Sequence, residues 1–132
     1  MTPHERGFLT FLAEPSRGRM LRLLEMGQKR RRVVRSLLHN AVRLDPRYCT
    51  PLSGSDYFPE PLEKMLRAHG APADCHVIGG ALDGRELPLA EALRAADWGE
   101  DGTFLSCVPG RLAFFQYGAM KQAYLLRRPS DT

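Results

Sequence analysis

Apolar residues recur every three or four positions through the first third of the chain, as they do along one side of a helix. The run Thr2-Pro3-His4-Glu5 places a capping residue, a proline and an acid in the order that begins a helix. The pattern predicts helices over residues 2–14, from Ser16 to about Gly27, and from Lys29 to Leu44.

In the second half of the chain, predicted strands follow and separate the predicted helices. Two helices are predicted, from Glu60 to His69 and from Pro88 to about Trp98, and Pro109-Gly110 predicts a tight turn between strands. Together these elements predict an α+β fold, in which the N-terminal helices pack on a small antiparallel sheet of three to four strands and helices cover one face of that sheet. The predicted strands are Cys75–Gly79, Thr103–Val108, Arg111–Tyr117 and Gln122–Arg128.

Residues 45–59 show neither the helix pattern nor the strand pattern. Asp45-Pro46, Thr50-Pro51 and Phe58-Pro59 are turn and breaker signals, so a loop without regular structure is predicted. Loops of this length in a compact protein often carry function.

Composition narrows the class of protein. The chain has 132 residues, of which 43% are hydrophobic, which predicts a single folded domain over 1–132 with a helical front half (1–47) and an α+β back half (48–132). No apolar run is long enough to cross a membrane, and no signal peptide is recognised. Three scattered cysteines fit neither a disulfide framework nor a zinc site. We therefore expect a cytoplasmic protein with no metal, no cofactor and no membrane partner.

Charge is distributed unevenly. Residues 1–47 carry eleven basic and four acidic residues, a net charge of +7, whereas residues 48–132 carry eight basic and eleven acidic residues, a net charge of −3. The predicted helix from Lys29 to Leu44, which we call the basic helix, indicates an anionic partner, either nucleic acid or an acidic protein. The alternative is that the acidic back half of the chain neutralises the charge of this helix. Its candidate binding residues are Lys29, Arg30, Arg31, Arg32, Arg35 and Arg43.

The stretch from Leu12 to Gly27, in which the run Leu12-Ala13-Glu14-Pro15-Ser16-Arg17 precedes an apolar helix, resembles the opening of ArsR-type winged-helix repressors. That resemblance implies a recognition helix near residues 53–66, where Pro59 and Pro61 lie instead. No family is assigned on this basis.

A second candidate site is the predicted loop. Polar and aromatic side chains there, with a histidine from the next strand, favour a small-molecule-binding protein or an enzyme as the alternative function. The residues are Arg47, Tyr48, Cys49, Asp56, Tyr57 and His76.

The aromatic run Phe114-Phe115-Gln116-Tyr117 indicates a third role, a homo-oligomer that pairs at an exposed strand edge. No catalytic motif is recognised in the chain. The sequence therefore favours a small non-enzymatic binding or adaptor protein with an anionic partner.

Overall fold

The computed structural model describes residues 2–14, 16–25, 43–52, 59–79, 82–96, 102–116 and 122–129. Within these ranges the chain forms four α-helices and six β-strands, with a short 3-10 turn at Pro46–Tyr48. The helices are α1 (Pro3–Thr10), α2 (Ser16–Leu24), α3 (Pro59–Ala68) and α4 (Leu89–Ala96). The strands are β1 (Cys49–Leu52), β2 (Asp74–Ile78), β3 (Glu86–Pro88), β4 (Thr103–Val108), β5 (Leu112–Gln116) and β6 (Ala123–Arg127).

The strands form one sheet in the order β1-β6-β5-β4-β2-β3, with every neighbouring pair antiparallel. The α+β class is confirmed, but the predicted three to four strands are too few. The two additional strands are the edges, β1 and β3. The segment that becomes β1 was predicted to be part of a loop because of Pro51, yet an edge strand tolerates a residue that donates no hydrogen bond.

Helices contribute to the cores on both faces of the sheet. Neighbouring residues of a strand point to opposite faces, so Phe104 and Phe115 pack with α1 and α2, while Leu105 and Phe114 pack with α3 and α4. The expectation that helices cover one face is therefore wrong. Phe114 and Phe115 thus face opposite sides of the sheet. Because both rings are buried and β5 lies between β4 and β6, this aromatic strand offers no free edge for a second copy.

Helix α1 begins as its sequence predicts. The Thr2 hydroxyl accepts a hydrogen bond from the amide of Glu5 at 3.1 Å, and the Glu5 carboxylate accepts one from the amide of Thr2 at 3.0 Å. The helix ends at Thr10, earlier than predicted, because the following residues pair with another segment. The amide of Asp45 donates to the carbonyl of Phe11 at 2.8 Å, and that of Ala13 donates to the carbonyl of Arg43 at 2.9 Å.

Helix α1 lies close to the sheet. The Phe8 ring packs on the Phe104 ring of β4 with centroids 4.5 Å apart. At the turn between β4 and β5, Gly110 takes a φ of 72°, which glycine adopts without strain. The Gly7 Cα atom and the Thr10 hydroxyl lie beside Gly110, so α1 passes next to that turn.

The prolines at the start of α3 do not break it. Pro59 and Pro61 lie in its first turn, where the backbone amides have no partner within the helix. The predicted helix from Lys29 to Leu44 lies almost wholly outside the described residues. None of the helices that the structure describes is long and apolar enough to cross a membrane.

Candidate anion-binding site

Three arginines come together where α1 approaches the ends of β5 and β6. Arg6 lies on α1, Arg111 directly precedes β5, and Arg128 directly follows β6. The amide of Arg128 donates to the carbonyl of Arg111 at 2.9 Å, so pairing of the two strands continues to this point. The fold thus joins three residues from distant parts of the chain.

These three residues line a cavity of about 260 Å³, which we call the arginine pocket. Its remaining lining comes from glycines and prolines of α1 and of the β4–β5 turn, with Thr10 and Pro129. Gly7 permits the close approach, because a Cβ atom there would lie 2.8 Å from the carbonyl carbon of Pro109. The pocket therefore combines cationic side chains with rigid, close-packed backbone.

No carboxylate of the described residues forms an ion pair with Arg6, Arg111 or Arg128. Arg6 and Arg111 are exposed, and Arg128 is half-buried. Guanidinium groups stay charged at any physiological pH, so the pocket carries a concentrated positive charge. A phosphate or carboxylate group is the ligand chemistry that such a pocket recognises.

A second cavity, of about 380 Å³, adjoins the arginine pocket and shares Thr10 and Arg128 with it. We call it the tyrosine cavity, since Tyr48 and two further arginines line it. The guanidinium carbons of Arg47 and Arg128 lie 5.0 and 5.7 Å from the centroid of the Tyr48 ring. Cations over an aromatic face are attracted to it, which orients both side chains.

The two other arginines of the tyrosine cavity already have partners. Arg17 donates to the carbonyls of Leu9 and Leu12 at 3.2 and 2.9 Å, which satisfies the end of α1. Arg47 binds both carboxylate oxygens of Asp45, the shortest contact being 2.7 Å. These hydrogen bonds hold the pKa of Asp45 below its usual value, so the pair remains ionised. Of the arginines that line the two cavities, Arg6, Arg111 and Arg128 are therefore the ones that no described carboxylate pairs with.

The candidate ligand loop is only partly assembled. Arg47 and Tyr48 line the tyrosine cavity, whereas Asp56 and Tyr57 lie outside the described residues. His76 is on β2, which three strands separate from β1, so it does not converge with Arg47 and Tyr48.

The cysteines do not provide a nucleophile. Burial raises the pKa of Cys49 to about 11, and burial with nearby Asp74 and Glu86 raises that of Cys75 to about 12. Burial also raises the pKa of Cys107. All three thiols are thus protonated at neutral pH, and thiolate chemistry is not supported.

The basic-helix candidates Lys29, Arg30, Arg31, Arg32 and Arg35 lie outside the described residues. Arg43 is described and exposed, and its amide donates to the Ser16 hydroxyl at 3.1 Å. It does not line either of the two cavities.

Sequence reasoning missed a polar cluster between α1 and the sheet. The Nδ1 atom of His4 lies 2.7 Å from the hydroxyl oxygen of Ser106, and the rings of His4 and His76 stack with centroids 5.1 Å apart. Burial and His76 lower the pKa of His4, while Glu86 opposes the shift. Ser106 is only 1% exposed, so this pair is a poor candidate for catalysis on an external substrate. It is better explained as a polar contact that holds α1 to β4.

No local sequence signal reveals that cluster, because His4 and Ser106 are 102 positions apart. The arginine pocket is equally non-local.

Among the residues that the structure describes, no group of three or more histidine, cysteine or acidic side chains is arranged to hold a metal ion. No protein-family model, curated protein or solved structure matches this chain.

Proposed function

We propose that this protein binds single-stranded nucleic acid through the arginine pocket and the tyrosine cavity, without catalysing a reaction. One observation carries the proposal: Arg6, Arg111 and Arg128 line one pocket, and no described carboxylate pairs with them. Like charges at short range oppose folding unless a counter-charge is supplied. Phosphate supplies it, and the planar guanidinium group matches phosphate oxygens in pairs.

Nucleic acid suits the two cavities better than an acidic protein surface does. It offers a row of phosphates with aromatic bases beside them, and the Tyr48 ring lies next to the cationic groups. A positively charged groove combined with an aromatic side chain is typical of proteins that bind single strands. The basic residues between Lys29 and Arg35 add positive charge to the same chain.

Fluorescence anisotropy tests the proposal with labelled single-stranded DNA and RNA of about 12 nucleotides, a length within the range of single-strand sites. We expect the logarithm of the affinity to fall linearly with the logarithm of the salt concentration, with a slope of about −0.7 for each phosphate neutralised. Replacement Arg128→Gln should weaken binding by roughly tenfold or more, because a hydrogen bond to a charged group contributes about 1.5–3 kcal/mol.

Arg127→Gln is the matched control. Arg127 is adjacent in sequence, is exposed and lines neither cavity, so this variant loses the same charge from a different position. Equal losses in the two variants would show that only net charge matters and would contradict a site at the arginine pocket. Absence of binding at about 50 mM salt, where phosphate contacts are strong, would overturn the proposed function.

A small phosphorylated molecule is the second candidate ligand. At about 380 Å³ the tyrosine cavity reaches the size range of small-molecule sites, roughly 300–1,000 Å³. Isothermal titration calorimetry with a nucleoside 5′-monophosphate separates the two cases. Binding of the mononucleotide as tight as that of the oligonucleotide would favour the small-molecule ligand over the strand.

A further inference from the structure

We infer that the arginine pocket recognises a terminal phosphate, a phosphomonoester dianion, in preference to the phosphodiesters inside a strand. This inference rests on the proposed function and names the chemical group that the pocket takes. It follows from the lining of the pocket, its charge and its continuity with the tyrosine cavity.

The lining of the pocket, with its size, is the first argument. The arginine pocket measures about 260 Å³, which is below the range of cavities that enclose a whole small molecule. Its non-arginine lining is mainly proline and glycine, including Pro3, Pro109 and Gly110. These residues bring backbone close to the ligand, and no aromatic ring in the lining offers a face on which a base can stack. A phosphate group fits this lining better than a nucleobase does.

Charge is the second argument. A phosphomonoester carries about −1.5 to −2 charges near neutral pH and has three free acceptor oxygens. An internal phosphodiester carries one charge and has two free oxygens. A terminal phosphate therefore offers the three guanidinium groups more negative charge and one more acceptor oxygen than an internal phosphodiester does. No described carboxylate competes for Arg6, Arg111 and Arg128.

Continuity is the third argument. The arginine pocket and the tyrosine cavity meet at Thr10 and Arg128, so a ligand whose phosphate fills the pocket can extend past Arg128 toward Tyr48. A strand end needs one such path for its single neighbouring nucleotide.

The test compares oligonucleotides of one sequence that carry a 5′-phosphate, a 3′-phosphate or hydroxyl groups at both ends. We expect one of the two phosphorylated oligonucleotides to bind at least about tenfold more tightly than the unphosphorylated one, as a charged hydrogen-bond network implies. Arg111→Gln should remove that preference, whereas Arg127→Gln should keep it. Circular dichroism spectra of both variants establish that they are folded.

Arg111→Lys gives a second, milder variant. It keeps the charge and loses the paired donors of the guanidinium group, so the preference for the phosphorylated end should shrink while salt-dependent binding persists. Competition with inorganic phosphate and with a nucleoside 5′-monophosphate distinguishes the source of the phosphate. We expect the mononucleotide to compete better, because it also reaches the tyrosine cavity.

The outcomes separate the two proposals. Salt-dependent binding with equal affinity for all three oligonucleotides would overturn the terminal-phosphate inference and leave the proposed function standing. Binding of the mononucleotide without binding of any oligonucleotide would support the phosphomonoester pocket and overturn the nucleic-acid function. Inorganic phosphate that competes as well as the mononucleotide would assign the pocket to free phosphate and overturn the inference.

Discussion

Gly7 illustrates how one residue type sets the geometry of the candidate site. A Cβ atom at this position would lie 2.8 Å from the carbonyl carbon of Pro109 and nearer still to the amide nitrogen of Gly110. The obstacle is backbone on both counts, so no side chain can rotate away to relieve it. Glycine is therefore required at position 7 because α1 approaches the turn closely there. The same close approach brings Arg6 and Arg111 into one pocket.

Gly7→Ala should lower the free energy of unfolding by about 1–3 kcal/mol, the usual cost of overpacking, and should weaken ligand binding because α1 is displaced from the turn. Urea denaturation followed by circular dichroism measures the first effect. Gly18→Ala in α2 is the control, since its Cβ would have only the Glu14 side chain nearby, at 3.9 Å. That variant should be stabilised by about 0.5–1 kcal/mol. A Gly7→Ala protein as stable as the wild type would contradict the close approach.

The buried thiols give a second prediction at the residue scale. Cys75 and Cys107 are 1% and 2% exposed, and burial raises both pKa values, so neither should react with iodoacetamide at about pH 7.5 while the protein is folded. Cys49 is half-buried and its pKa is raised to about 11, so it should be modified slowly. Mass spectrometry of intact protein should show three modifications only after denaturation. Rapid native labelling of Cys75 would contradict the packing of β2 against α3 and α4.

At the scale of elements, the sequence predicted the helix starts and the turn that a few neighbouring residues determine. The capping box at Thr2 and Glu5, the helix after Pro59 and the turn at Gly110 each depend on a few consecutive residues. The edge strands were missed because they are short and carry prolines, and only pairing with β6 or β2 makes them strands.

The two-sided cover of the sheet did leave a signal in the sequence. The strands β4 and β5 carry apolar residues at neighbouring positions, as in Phe104-Leu105 and in Leu112 to Phe115, without the alternation of a sheet that has one wet face. Such runs predict burial on both faces. By contrast, the arginine pocket depends on the tertiary approach of Arg6, Arg111 and Arg128, and no spacing along the chain encodes it.

The attachment of α1 to the sheet should depend on pH. Burial and the stacked His76 lower the pKa of His4 below 6.5, with Glu86 on β3 opposing the shift. The folded protein thus favours neutral His4, and stability is complete above the unfolded-state pKa of about 6.5. It should decrease as pH falls below that value and stop decreasing below the pKa of the folded state.

Thermal unfolding between about pH 5 and pH 8, the range in which histidine titrates, measures this dependence. In the His4→Gln variant, the melting temperature should decrease less as the pH is lowered, because the contribution of His4 is removed. His69→Gln, which changes an exposed histidine directly after α3, is the matched control. If His4→Gln retained the full wild-type decrease in melting temperature, the stacked pair would not be its cause.

For the whole molecule, the candidate site occupies one side of the sheet and one face of α1 along its length, while α3 and α4 cover the other side. Binding should therefore leave a footprint confined to part of the chain. Hydrogen–deuterium exchange should slow in α1 and around residues 109–111 and 128–129 when the more tightly bound phosphorylated oligonucleotide is added at a concentration near its Kd for the wild type. Exchange in α3 and α4 should stay unchanged, because those helices do not touch either cavity. The Arg128→Gln variant should lose the protection under the same conditions, and equal protection of α3 would place the ligand on the wrong face for the arginine pocket.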